Sequence, residues 1–202
     1  MRGWFVGEVK SELQTTHHTT IMNTKFTSLC SALLLATSLW LNAGEPAAPT
    51  PKPASAEFER IKTLVGTWQG KTDMGQGPVD ISIQYRLIAA GSVLEERAFA
   101  GTPNEMVTMY YDQAGKLAMT HYCVMGNRPV MALKASDANS LTFDLDSCCT
   151  IDVKKESHMH GTTLRFIDAD TISSSCKAMI NGQEVPEHET TLKRVKGVAA
   201  NN

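Results

Sequence analysis

The stretch VDISIQYRL, residues 79–87, decides the fold class of this chain. Its odd-numbered positions are all apolar, beginning at Val79 and ending at Leu87, whereas its even-numbered positions are polar and include Asp80 and Arg86. Because successive side chains of a β-strand point to opposite faces, this alternation predicts a strand with one buried and one solvated face. Such a strand is typical of the wall of an antiparallel barrel.

Similar alternation recurs along the following sequence. Helix periodicity is confined to one short helical turn at residues 58–64, and turn residues separate the alternating runs, with Asn181-Gly182 as the strongest hairpin signal. Ten meandering strands would leave two exposed edges unless the sheet closes on itself. We therefore predict an all-β fold, a single antiparallel up-and-down barrel of about ten strands. The predicted strands are residues 66–73, 79–87, 92–100, 105–111, 116–123, 130–135, 141–146, 158–167, 171–180 and 183–195.

The N-terminal region has the composition of a secretory leader. Lys25 precedes an apolar run, residues 31–41, which is too short and too rich in small residues to span a bilayer, and Ala43 offers a cleavage site. An uncleaved anchor is the alternative. We expect a periplasmic or secreted protein with no stable membrane span after cleavage. The predicted organisation is an upstream extension from a misplaced start codon (1–21), a signal peptide (22–43), a Pro/Ala-rich linker (44–56), a barrel domain (57–196) and a disordered tail (197–202).

Charge and motif content restrict the function. The chain has 19 Lys and Arg against 21 Asp and Glu, a net charge of −2, and it lacks a basic stripe, so nucleic acid is not an expected partner. We find no nucleophile elbow, phosphate loop or dinucleotide fingerprint. The sequence therefore favours a binding protein over an enzyme.

Four cysteines follow the predicted leader: Cys123, Cys148, Cys149 and Cys176. Export would permit disulfides, and adjacent Cys148 and Cys149 would need a strained ring to pair with each other. A link between Cys123 and Cys176, no link, and reduced thiols that pack as small hydrophobic groups all remain open.

Histidines mark the predicted interior. Each of the four that follow the leader shares a strand face with apolar residues, as His121 does with Leu117 and Met119. A closed sheet would gather these imidazoles around one cavity, where a small, partly apolar molecule could bind. Asn127 and Arg128 follow the His121 strand and could orient an anionic head group at the rim, although Asn127 could instead satisfy a turn. The predicted ligand-binding residues are His121, Cys123, Asn127, Arg128, His158, His160 and His188.

Metal binding is the alternative function, with a metal-dependent enzyme as its extension. His158 and His160 lie two apart on one strand, as do His121 and Cys123, and imidazole and thiolate are good ligands for zinc. The predicted metal ligands are His121, His158 and His160. Whichever of Glu95 and Glu96 faces inward could serve as a further ligand or a general base. A third interpretation is that the histidines only hydrogen-bond to structural partners.

Two resemblances accompany this pattern. Gly66-Thr67-Trp68 after a short helical turn resembles the opening of the lipocalin and fatty-acid-binding superfamily, the calycins, and the resemblance implies that Arg194 on the last strand packs over Trp68. The segments at 120–123, 126–129, 158–160 and 168–170 resemble a family of uncharacterised exported bacterial proteins with a lipocalin-like barrel. The opening at 66–70 is also similar to that of the nitrobindins, ten-stranded barrels that bind haem, so this resemblance implies haem as a ligand.

Overall fold

A computed structural model describes residues 53–73, 75–147 and 149–197. The predicted upstream extension and signal peptide lie outside the described residues, as do most of the predicted linker and tail and Cys148. None of the helices in the described ranges reaches the length and hydropathy of a segment that crosses a membrane.

A short helix, α1 (Ala56–Lys62), precedes the first strand. The Ser55 hydroxyl accepts a hydrogen bond from the Phe58 amide at 3.1 Å and so caps the first turn, where Glu57 and Glu59 complement the helix dipole. The helix begins two residues before the predicted turn because this cap, rather than the apolar pattern, defines its start.

Eleven strands follow in the described residues. Nine of them match the first nine predicted runs within a few residues, but the predicted run 183–195 is wrong as a single strand. It is divided into two strands, and Pro186 lies in the gap, where its missing N–H cannot contribute to a ladder. The strands are β1 (Gly66–Asp73), β2 (Pro78–Ile88), β3 (Val93–Ala98), β4 (Met106–Gln113), β5 (Lys116–Tyr122), β6 (Val130–Ser136), β7 (Ser140–Leu145), β8 (His158–Asp168), β9 (Thr171–Ile180), β10 (Gln183–Glu184) and β11 (His188–Arg194).

The strands close into an antiparallel ten-stranded barrel, as predicted. Neighbours along the chain pair from β1 to β9, and β11 completes the ring by pairing with both β9 and β1. The two-residue strand β10 pairs only with β9 and stays outside the ring. Closure therefore depends on the seam between the first strand and the last, where Trp68 lies opposite Arg194.

Helix α1 closes one end of the barrel. Its side chains Phe58 and Ile61 are at most 1% exposed and belong to the same core cluster as Trp68 and Leu192. The Ser55 hydroxyl donates to Asp112 at the end of β4 at 2.7 Å, which ties the start of the helix to the wall. The barrel thus has one end closed by α1, and the strand ends farthest from α1 form the opposite end.

Candidate functional site

A row of polar side chains crosses four neighbouring strands on the interior face. Tyr85 of β2 lies opposite Glu96 of β3, Glu96 lies opposite Thr108 of β4, and Thr108 lies opposite His121 of β5. Residues in register on antiparallel strands share a face, and Tyr85 belongs to the buried core. We call these four residues, together with Tyr110, the polar row.

Two hydrogen bonds join members of the polar row in pairs. The Tyr110 hydroxyl donates to Glu96 at 2.8 Å, and Tyr85 and Thr108 lie opposite Glu96 on the two flanking strands. The Thr108 hydroxyl oxygen lies 2.9 Å from Nδ1 of His121. One inward carboxyl group therefore has a phenol donor, and the threonine opposite it hydrogen-bonds to one imidazole.

Burial governs the ionisation of these groups. It raises the pKa of Glu96, and the hydroxyl groups of Tyr110, Tyr85 and Thr108 act in the opposite direction. Burial, with the nearby Glu96 charge, also holds the pKa values of Tyr85 and Tyr110 well above their usual range. The pKa of His121 falls to about 4 because burial disfavours the charged imidazolium. His121 is consequently neutral at physiological pH.

Solvent access differs among the inward side chains. Near α1, Leu94 and Leu141 are fully buried. The inward side chains of Glu96, Met106 and Cys176 are only partly buried. Glu96 is the partly exposed member of the polar row, whereas Tyr85, Thr108, Tyr110 and His121 are each at most 8% exposed.

His158 and His160 form a separate pair. Nδ1 of His158 lies 2.6 Å from the Glu156 carbonyl oxygen, and its Nε2 lies 3.1 Å from Nδ1 of His160. The predicted shared face of His158, His160 and Leu164 assumed that inward and outward positions alternate without a break along β8. The strand instead has a bulge at His160, and beyond it Met159 pairs with Ala178 and His158 with Met179. The bulge shifts the phase by one residue, and His158 does not share the strand face of Leu164.

The predicted metal ligands do not form one cluster. His121 uses Nδ1 for Thr108, whereas both ring nitrogens of His158 already have partners. Among the described side chains, no group of three or more His, Cys, Asp or Glu is placed to hold a metal ion. This arrangement does not fit a zinc site, which needs three or four convergent ligands. Haem binding stays a prediction.

Cys123, Cys176 and His188 lie near the barrel end opposite α1. Cys176 is in register with His188. Cys123 and Cys176 are free thiols, as is Cys149. Burial raises the pKa of Cys176 to about 11 and also raises that of Cys123, so neither is an activated thiolate.

The loop after β5 contains the last two predicted ligand-binding residues. The Asn127 side-chain amide donates to the Ser157 carbonyl at 2.9 Å, and the Ser157 hydroxyl accepts from the Asn181 amide at 3.1 Å. Asn127 therefore ties neighbouring loops together, whereas Arg128 is exposed to solvent. The structural interpretation of Asn127 accounts for its contacts.

Two depressions of the outer surface have volumes of about 440 and about 330 Å³. The larger is lined by Arg165 and Phe166 among others, and the smaller by residues of β1 and β2. Neither is lined by a predicted ligand-binding residue. The candidate site is thus defined by the chemistry of the polar row rather than by a large open pocket.

Sequence reasoning included His121 and considered Glu96, but it missed Thr108 and Tyr110 and placed Tyr85 only among the apolar wall residues. A signal for them was present. Leu94 is apolar, so Glu96 two residues later shares its inward face, and hairpin pairing brings Thr108 alongside. The register between strands, which the turns alone did not fix, was the missing information.

Comparison with known proteins adds little to this description. No protein-family model matches the chain, and no curated protein matches it. Among solved structures, the chain resembles a protein of unknown function of the DUF3598 family from Nostoc punctiforme PCC 73102, at 15% identity and a TM-score of 0.48. The match covers 76% of this chain and 53% of the other, so the chain spans about half the length of that protein. The ten-stranded barrel itself fits a calycin-like fold.

Proposed function

We propose that this protein binds a small, partly apolar molecule inside the barrel, with the polar row supplying the polar contacts. The observation that supports this proposal is a carboxyl group, two phenols, a hydroxyl and a neutral imidazole on one interior face, with hydrogen bonds from Tyr110 to Glu96 and between Thr108 and His121. A mostly apolar enclosure with a few convergent polar groups is the usual form of a small-molecule site.

The energetic cost of the polar row favours a functional role. Burying a carboxylate costs several kcal/mol unless good hydrogen bonds offset it, and apolar replacements of similar volume are often neutral or stabilising. Elsewhere in the core the barrel uses such replacements, for example Leu94 and Met119. The partial exposure of Glu96 supports access from solvent.

Export is part of the proposal. Lys25, the apolar run at 31–41 and Ala43 support a secretory signal and a periplasmic or secreted location. Expression of the full chain, followed by mass measurement of the protein in the extracytoplasmic fraction, tests this. A mature N-terminus at Gly44 is expected, and an unprocessed chain in the cytoplasm would contradict export.

Ligand binding is tested with the untagged protein obtained from the full chain. Native mass spectrometry identifies co-purified molecules, and a fragment screen by NMR maps contacts. The matched variants are Tyr110→Phe, which removes a hydroxyl donor to Glu96, and Tyr122→Phe, which removes a hydroxyl from an outward side chain that is 48% exposed. We expect bound molecules to perturb the polar row, and Tyr110→Phe alone to weaken them.

Two results would contradict this function. If the fragments contact only the outer surface, the barrel interior is not the binding site. Stoichiometric zinc or iron that is lost in His158→Ala and His160→Ala would replace the proposal with the metal or haem alternative.

A further inference from the structure

Two adjacent glutamates of β3 have opposite surroundings. Glu95 faces outward, where Arg86 donates two hydrogen bonds to its carboxylate, at 2.8 and 3.0 Å, and a nitrogen of Arg97 lies 3.4 Å away. Glu96 faces the interior, where its carboxyl group accepts a hydrogen bond from Tyr110 at 2.8 Å. Within the part of the chain that the structure describes, Glu96 forms no ion pair. Guanidinium groups therefore compensate the outward carboxylate but not the inward one.

The interior neighbours of Glu96 supply no positive charge. On β2 the residue opposite Glu96 is Tyr85, and on β4 it is Thr108. His121, which follows Thr108 along the polar row, is neutral at physiological pH because burial lowers its pKa to about 4. The carboxyl group is thus surrounded by hydroxyl and aromatic groups in place of a cation.

Glu96 is open to a molecule in the interior although protein surrounds it. The residue is partly exposed, whereas Tyr85 and Tyr110 beside it are 2% and 5% exposed. Burial nevertheless raises the pKa of its carboxyl group, which shows that bulk water stabilises the carboxylate poorly at this position. A cation that contacts the carboxylate here gains more than it would at the surface, because water screens the attraction less.

We propose, on the basis of the function proposed above, that Glu96 makes the barrel interior selective for small organic cations, such as primary amines that carry an apolar group. The ammonium group of the ligand donates to the Glu96 carboxylate, and its apolar part packs on Tyr85 and Tyr110. Carboxylate ligands are disfavoured, because a second negative charge beside Glu96 adds repulsion without a compensating cation.

The ligand class is tested with three probes that share a phenethyl group: phenethylamine, phenethyl alcohol and hydrocinnamate. At neutral pH they present an ammonium, a hydroxyl and a carboxylate group. Calorimetric titration of the untagged protein obtained from the full chain gives the three dissociation constants. A charge-assisted hydrogen bond contributes more than a neutral one, so we expect the amine to bind about tenfold more tightly than the alcohol, and the carboxylate to bind most weakly.

Glu96→Gln and Glu95→Gln are the matched variants, because they make the same change at adjacent positions on opposite faces of β3. Glutamine keeps an oxygen that accepts from Tyr110 and removes the charge. Glu96→Gln should abolish the preference for the amine over the alcohol, whereas Glu95→Gln should retain it. A general loss of stability weakens binding of both probes alike and leaves the ratio of their affinities unchanged.

Carbon-13 NMR of the glutamate carboxyl groups provides a test that does not depend on the folding of Glu96→Gln. In the unsubstituted protein, phenethylamine should shift the carboxyl signal of Glu96 and leave that of Glu95 in place. An unchanged Glu96 signal at saturating phenethylamine would show that the ammonium group binds elsewhere and would overturn the proposed role of Glu96.

The affinities distinguish failure of the selectivity from failure of the proposed function. Equal affinity of the amine and the alcohol inside the barrel would overturn the selectivity and leave interior binding intact. The same would follow from tightest binding of hydrocinnamate, or from an unchanged amine preference in folded Glu96→Gln. Interior binding of none of the three probes would contradict both proposals.

Discussion

At the scale of single residues, Arg194 stabilises the closed end of the barrel through several contacts at once. Its guanidinium lies 4.2 Å from the centroid of the Trp68 ring, which is the stacking that the calycin resemblance implies. It also donates to the carbonyl oxygens of Val65 and Thr63, each at 2.8 Å. These carbonyls follow α1 and would otherwise lack strong donors, so one side chain joins the helix exit to the last strand.

Replacement of Arg194 by alanine should lower the free energy of unfolding by about 1–2 kcal/mol, because a partly buried cation–π contact and its hydrogen bonds are lost together. Urea unfolding followed by tryptophan fluorescence measures this, since Trp68 is the one tryptophan after residue 43. Lys193→Ala, at the exposed neighbouring position, is the control and should change stability little. Equal stability of Arg194→Ala and the unsubstituted protein would contradict the role.

His121 should make stability depend on pH. Its folded pKa of about 4 lies below the ordinary value of 6.5, so the unfolded chain takes up the extra proton first as the pH falls. Its contribution is complete above about pH 6.5 and is lost as the pH falls toward 4, by about 3 kcal/mol at most.

Urea unfolding near pH 7 and near pH 4.5 checks this dependence. The loss of stability between the two conditions should be smaller in His121→Gln than in the unsubstituted protein, whatever the absolute stability of the variant. His188→Gln controls for removal of a partly exposed histidine. The same loss in His121→Gln as in the unsubstituted protein would show that His121 is not the titrating group.

At the scale of elements, the seam between β1 and β11 decides whether the sheet closes. Gly70 lies opposite Leu192, and a Cβ atom at this position would lie 2.2 Å from the Thr191 carbonyl oxygen. That neighbour is backbone and cannot move without breaking the pairing. The glycine is therefore required by close approach of the two strands.

Gly70→Ala should destabilise the barrel by about 3 kcal/mol, because one methyl group forces the first and last strands apart. Thermal unfolding measured by circular dichroism gives the change. Gln69→Ala, at the exposed neighbouring position on β1, is the control. A melting temperature for Gly70→Ala equal to that of Gln69→Ala would mean that the seam tolerates the methyl group.

At the scale of the whole molecule, the barrel is one closed ring whose interior carries both an apolar core and the polar row. The same strands contribute to both, as β5 does with Leu117 near α1 and His121 farther along. The stability of the protein and the geometry of the polar row therefore both depend on closure of the barrel by β1 and β11.

Removal of residues 188–202, which include β11, should abolish cooperative unfolding, since β1 and β9 would lose their shared partner and become exposed edges. Calorimetry or a denaturant titration shows this as the loss of a single sharp transition. A chain that ends at Gly197 retains β11 and is the control. A sharp transition in the shorter chain would show that the ring does not fold as one unit.

Much of the architecture was predictable from local pattern. Alternation of the kind seen at 79–87 identified the strands, because a half-buried strand repeats every two residues whatever surrounds it. The turn at Asn181-Gly182 was equally local: both residues have positive φ, which the hairpin requires. The break in the last predicted strand, residues 183–195, was harder to predict, because the alternation of apolar and polar residues resumes after Pro186.

The sequence by itself determined the strand content, the meander and the inward position of His121, since each depends on spacing within one strand or one hairpin. The tertiary structure alone decided which residues meet. Register across separate strands places Glu96 and Thr108 beside His121, and a one-residue bulge at His160 turns His158 away from the face that its spacing predicted. The physical reason is that side-chain direction along a strand repeats with a period of two, so one unpaired residue reverses every assignment beyond it.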